Sequence, residues 1–205
     1  MVGVFYLASF VLPVSCAAVL ALVARLLVTG ALHEDGLADF FDGFGGGTDR
    51  QRILAIMKDS HIGTYGVLAL VVYYILLVCV ISSLPVGVVC CAMVACDSWS
   101  KFAASNIVNF LPYARTEQEA KNHTVYNKVS PGGVIAGCVG GALPLLLLPW
   151  VYQTAAIAPV VVAPLLFAYM KRKIRGYTGD CCGATFLICE LSMWLVISVT
   201  FTLIS

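Results

Sequence analysis

Six long apolar runs, at about 4–29, 66–84, 86–111, 133–150, 154–170 and 184–204, leave this chain few ways to fold. A helix needs roughly 20 apolar residues to cross a bilayer, and most of these runs are close to that length. Of the 205 residues, 60% are hydrophobic and 11% charged, more apolar surface than a soluble domain of this size can bury. In lipid, backbone polar groups must be satisfied internally, which leaves helices or a closed barrel. The runs are continuous rather than alternating, and this selects helices. The expected fold class is all-α: one polytopic helical integral membrane domain over residues 1–205, with about six transmembrane segments. The first run is too long for a signal peptide and lacks a basic start, so it is read as a mature helix. Asp97, Ser98, Ser100 and Lys101 interrupt the run at 86–111, which reads as a broken or partly buried helix. Leu84-Pro85 and Pro149-Trp150 mark tight turns.

Three polar connections remain, at 31–65, 112–132 and 171–183, and an even number of crossings separates each from the next. All three therefore belong on one membrane face. Ten of the twelve Lys and Arg lie in them: Arg50, Arg52, Lys58, Arg115, Lys121, Lys128, Lys171, Arg172, Lys173 and Arg175. By the positive-inside rule that face is cytoplasmic, so cytoplasmic loops of a multi-pass cell (inner) membrane protein are expected. The Asn122-His123-Thr124 sequon on such a loop would be accidental. A net charge of +1 with no basic-aromatic module gives no reason to expect nucleic acid as a partner. The nine cysteines form no CxxC pair and sit mostly in apolar runs, where cysteine behaves as a small hydrophobe. Cys181-Cys182 beside Asp180 is read as packing in preference to a metal site.

Against this background, "HEDGLADFFDGFGGGTDR" at 33–50 stands apart, with four acids in nine positions followed by glycines. On a helix, at about 100° per residue, Asp39 lies about 40° from Asp35 and Asp42 about 20° to the other side. Three carboxylates share a stripe from which Glu34 points away. Such crowding is costly without a cation. Oxygen-only ligands favour a hard ion, Mg2+ or Mn2+, and Mg2+ commonly binds carboxylates together with substrate phosphates. The alternative is a solvated face, which would not need Phe40, Phe41 and Phe44 interleaved with the acids. In "MKDSHIGTYG", Lys58 is open to two roles, neutralising phosphate oxygens or marking topology, and His33 and His61 are possible proton carriers. Asp180 lies near the start of the last helix, where capping is the plain alternative. Glu190, deep in an apolar run, must face a cavity or a partner. Asp97 is expected to pair with Lys101 at i,i+4.

The stretches "TGALHEDGLADFFDGFGGG", "DRQRILAIMKDSHIGTYGVLAL", "LPYAR" and "KR...GYTGDCCGA" with a later Glu resemble, in order, the cobalamin synthase family, adenosylcobinamide-GDP ribazoletransferases. The resemblance spans residues from about 2 to 195. It implies a Mg2+-dependent transfer of the adenosylcobinamide-phosphate moiety to alpha-ribazole or its 5'-phosphate. The products would be GMP and adenosylcobalamin or its 5'-phosphate. The family's acidic motif falls on His33, Asp35, Gly36, Leu37, Ala38, Asp39, Asp42 and Gly43, which makes His33 and the three aspartates catalytic candidates and the aspartates metal ligands. Further motif positions fall on Lys58, Asp59 and Ser60, on Tyr113, Ala114 and Arg115, and on Thr178, Gly179, Asp180, Gly183 and Ala184, with Glu190 as the late Glu. Lys58, Asp59, Arg115, Lys171, Arg172, Asp180 and Glu190 are the expected substrate-binding set. Both substrates and the lipid bilayer are the expected partners, and a homo-oligomer is left open.

The chain departs from the family pattern at Glu34, where the family usually has an apolar residue, at Phe40 and Phe41 in place of small residues, at His61 for a common Arg, and at Leu187 for a frequent Glu. The family normally carries several tens of residues before the position of Val2-Gly3, so a preceding segment is expected. The opening Asp-Gly-Leu-Ala-Asp also resembles CDP-alcohol phosphotransferases, but Asp39 stands in the place of their Arg. From another class, a cation or small-solute transporter would rest on Asp97 and Glu190 near the bilayer midplane.

Overall fold

The computed structural model describes residues 1–115 and 128–204, and every regular element among them is helical. Lys121 and the sequon at Asn122 lie outside the described residues. The chain forms α1 (Val2–Ala8), α2 (Val14–Thr29), α3 (Leu32–Gly46), α4 (Arg50–Ile56), α5 (Thr64–Ser83), α6 (Val86–Ser105), α7 (Ile107–Phe110), α8 (Pro131–Ala142), α9 (Ile157–Ile174) and α10 (Gly179–Ile204). 3-10 turns over Leu143–Leu147 and Trp150–Ala156 join α8 to α9.

Among the described residues, four helical stretches are long and apolar enough to cross a membrane: Thr64–Ser83, Val86–Phe110, Trp150–Ile174 and Gly179–Ile204. The bent pair α2–α3 makes a fifth if counted as one span, and Pro131–Leu147 is a shorter apolar helix. The protein is therefore a polytopic helical membrane protein. Two apolar runs are organised differently from expectation. The run at 4–29 is not one helix, because Pro13, lacking an N–H, starts α2 afresh after a bend. The run at 133–150 loosens into 3-10 turns where Pro144 and Pro149 fall. In α6 the polar residues do not break the helix. Ser98 donates to the Val94 carbonyl at 2.7 Å, Lys101 reaches Asp97 at 2.8 Å as anticipated, and the interruption comes later, at Asn106.

At the centre stands α10, packed on α3, α5, α6 and α9 and buried through Leu187, Cys189, Met193, Trp194 and Ile197. Outward faces such as Val71, Val72 and Ile75 of α5 remain exposed, as lipid-facing residues do. Between α2 and α3 the chain turns by 92° through Gly30 (φ 63°) and Ala31 (φ 56°). A left-handed Ala costs about 1–2 kcal/mol, which packing of α3 across the bundle must offset.

The three polar connections meet at one end of the bundle. Arg50 of α4 donates through Nε to the Ile174 carbonyl at 2.9 Å and through Nη2 to the Ala114 carbonyl at 2.7 Å. A one-residue parallel bridge joins Tyr113 to Tyr177, with Ala114 N–H donating to the Tyr177 carbonyl at 2.8 Å and Tyr177 N–H to that of Pro112 at 3.0 Å.

Candidate functional site

At that end α3 crosses the start of α10, and two glycines allow the contact. A Cβ on Gly36 would lie 3.0 Å from the Asp180 carbonyl oxygen, and one on Gly183 would lie 3.1 Å from the carbonyl oxygen of His33. A side chain at either position would press on the facing backbone, which would have to give by a few tenths of an ångström. The crossing brings Asp35 and Asp39 beside Asp180, with one carboxylate oxygen from each within 4.8 Å of the others. Asp35 is exposed and the other two half-buried. Asp180 is not the helix cap: Thr178 Oγ1 accepts from the Cys181 N–H at 3.4 Å and donates to Asp180 Oδ2 at 3.3 Å. With capping left to Thr178, the Asp180 carboxylate takes its place in the trio. Three carboxylates and no nitrogen or sulfur form a donor set suited to a hard divalent cation.

The predicted stripe of Asp35, Asp39 and Asp42 is thus divided. Asp42 is buried and accepts from the Gly63 N–H at 2.7 Å and the Gly66 N–H at 2.9 Å. These are free N–H groups at the start of α5, whose own N-cap, Gly63, has no side chain to offer. A Cβ at either glycine would collide with the carboxylate. Asp42 caps a helix that begins 22 residues later in the chain (Thr64), and it stands apart from the Asp180 group.

Glu190 is fully buried and has a partner instead of access to a ligand. Arg25 Nη1 donates to its two oxygens at 3.0 and 2.8 Å, and Tyr73 Oη donates to Oε2 at 2.7 Å. The other arm of Arg25, Nη2, donates to Glu34 Oε1 at 3.2 Å and to Tyr73 Oη at 3.0 Å. One guanidinium therefore ties α2, α3, α5 and α10 together. Neither Arg25 nor Tyr73 was among the sequence-predicted residues. The available signal was Arg25 itself, a lone cation inside an apolar run, which requires a partner. With Glu190 paired to Arg25 and Asp97 to Lys101, both acids on which a transporter reading rested are neutralised within the protein.

The remaining predicted residues are spread around this end. Lys58 and Arg115 line a cleft together with Arg50, and Arg115 Nη2 donates to the Leu54 carbonyl at 3.1 Å. Asp59 is exposed and turned onto His61, whose Nδ1 lies 2.7 Å away. This hydrogen bond holds the Asp59 carboxyl below the usual carboxylate range and raises the His61 imidazole. Lys171 and Arg172 are exposed on the last turn of α9, where cations suit the helix dipole. The His33 ring packs edge-on against the Phe186 ring at 4.7 Å, and Lys101 Nζ lies 5.2 Å from the centre of the Phe186 ring.

The family model described as cobalamin-5-phosphate synthase matches residues 1–198. The adenosylcobinamide-GDP ribazoletransferase of Shewanella amazonensis is 39% identical over 199 residues, which is 95% of this chain and 76% of that protein. That of Mesorhizobium japonicum is 41% identical over 196 residues, covering 93% of this chain and 73% of its own length. No solved structure matches the chain.

Proposed function

The chain belongs to the cobalamin-5-phosphate synthase family, and we propose that it acts as an adenosylcobinamide-GDP ribazoletransferase of cobalamin biosynthesis, using Mg2+. It joins the adenosylcobinamide-phosphate moiety to alpha-ribazole or its 5'-phosphate. A ribose hydroxyl of the acceptor other than the 5'-oxygen, free in both acceptor forms, loses its proton and bonds to the cobinamide-linked phosphorus, the bond to the second phosphate breaks, and GMP departs with the electron pair. The single observation that carries this reading beyond family membership is the meeting of Asp35, Asp39 and Asp180 where the three polar connections converge.

Asp35, Asp39 and Asp180 are the residues that would hold the ion. A bound Mg2+ supplies charge neutralisation at the diphosphate oxygens. The chain's own part is mainly orientation and electrostatics, since phosphoryl transfer asks little covalent chemistry of a protein. Gly36 and Gly183 fix the crossing that sets the acids against one another, and Thr178 orients Asp180. Lys58 and Arg115 place positive charge on the same end of the bundle. The reaction is assigned to the cytoplasmic face of the cell membrane, on the strength of the basic residues gathered there.

The test is turnover by the detergent-purified protein. Adenosylcobinamide-GDP plus alpha-ribazole should release GMP in a Mg2+-dependent way. Release of CMP from a CDP-alcohol with none of GMP would replace this reading with the phosphotransferase one.

A further inference from the structure

Between α4 and the 112–115 segment lies a cleft of about 380 Å³, lined by Arg50, Gln51, Lys58 and Arg115 over the apolar floor of Leu54 and Ala55. Among the described residues, no acidic side chain lines it. Positive charges at a membrane protein's cytoplasmic end commonly serve only to set topology, but that role asks for no particular orientation. Here two guanidiniums are held in place by three backbone carbonyls, those of Ile174 and Ala114 on Arg50 and that of Leu54 on Arg115. Each retains N–H groups that these bonds do not use. Lys58, exposed just beyond the end of α4, adds a third cation that makes no ion pair among the described residues. Like charges gathered in one cleft are costly unless an anion joins them. Oriented guanidiniums suit the paired oxygens of a phosphate.

The cleft also lies close to the acid trio in the fold. Ala114, in the cleft wall, is hydrogen-bonded to Tyr177, and Asp180 follows three residues later at the start of α10. We propose that this cleft is a phosphate-monoester subsite, which holds the 5'-phosphate of a nucleotide beside the acids where the diphosphate reacts. The assignment rests on the transferase reading. Two participants in that reaction carry this chemistry, GMP once its bond to the cobinamide-linked phosphate has broken, and the acceptor when it arrives phosphorylated.

The experiment uses the full chain in detergent or nanodiscs, as wild type, Lys58→Gln and Arg115→Lys. Lys58 makes no side-chain hydrogen bond among the described residues and the second change keeps the charge, so folding should survive both. GMP is titrated in EDTA, so that no metal at the acids contributes, and kcat/KM is measured for alpha-ribazole and for its 5'-phosphate. Removing one charge-assisted hydrogen bond should weaken the affected ligand about tenfold or more. Weaker GMP binding with an unchanged preference between the two acceptors assigns the subsite to the departing nucleotide. A lost preference for the phosphorylated acceptor with GMP binding intact assigns it to the acceptor. If neither moves in either variant, the proposal is overturned. Absence of turnover in the wild type would instead strike the transferase reading, while the GMP titration would still decide whether the cleft binds phosphate.

Discussion

Glu34 and Asp35 are adjacent in the chain, yet they belong to two acid groups built from the same pair of helices. Glu34 of α3 and Glu190 of α10 are buried and share Arg25, while Asp35 and Asp39 of α3 meet Asp180 of α10 at a partly open edge. The buried group has its cation and its hydroxyl donor from within the protein, so it holds helices together. The open group brings carboxylates together within reach of solvent, and such an arrangement suits a ligand. Their physical surroundings differ, buried around a cation in one group and partly open in the other, although both groups lie on conspicuous motifs.

The largest effect expected is on the buried side. Arg25→Met leaves two buried carboxylates without their cation and should lower the unfolding free energy by about 3–5 kcal/mol, the cost of breaking a buried pair. Thermal unfolding in detergent measures it. A negligible change would mean that the Arg25 contacts do not hold the helices. On the open side the expectation is reversed. Asp35→Asn should leave unfolding nearly unchanged but reduce GMP release about 10²–10³-fold, the scale of removing one electrostatic stabiliser at a reacting centre. A stability loss as large as that of Arg25→Met would erase the distinction between the two groups.

Much of this organisation is legible in the sequence, up to the point where distant segments meet. The apolar runs give the helices and the membrane, and "DGLAD" gives the spacing of Asp35 and Asp39 on one helix face. What the helical period cannot reveal is the third member. Asp180 joins through a crossing that depends on Gly36 and Gly183, whereas Asp42, in phase with the stripe, is drawn away by N–H groups of α5. Resemblance to the family pointed to Asp180 as a site residue but not to its place beside Asp35. Glu34, which departs from the family pattern, is intelligible only once Arg25 is seen beneath it.

Two smaller effects sharpen the comparison. Asp42→Asn weakens a charged cap on two N–H groups and should cost about 1.5–3 kcal/mol of stability, the range for hydrogen bonds to a charged group. Chemical or thermal unfolding would read it, and a variant as stable as wild type would remove Asp42 from its structural role. Glu34→Leu should change stability by no more than about 1 kcal/mol, because Arg25 keeps Glu190 and Tyr73 and an apolar residue packs in place of a buried charge. A loss equal to that of Arg25→Met would show that Glu34, rather than Glu190, is the chief partner.

The most direct test of the division is metal affinity in two variants that the linear stripe ranks the other way. Mn2+ is titrated into wild type, Asp180→Asn and Asp42→Asn, with bound ion read by electron paramagnetic resonance. The geometry of α3 and α10 predicts that Asp180→Asn loses most of its Mn2+ affinity and that folded Asp42→Asn binds as wild type does. Retained binding in Asp180→Asn, with binding lost in a folded Asp42→Asn, would contradict it and return the site to the stripe on α3 alone.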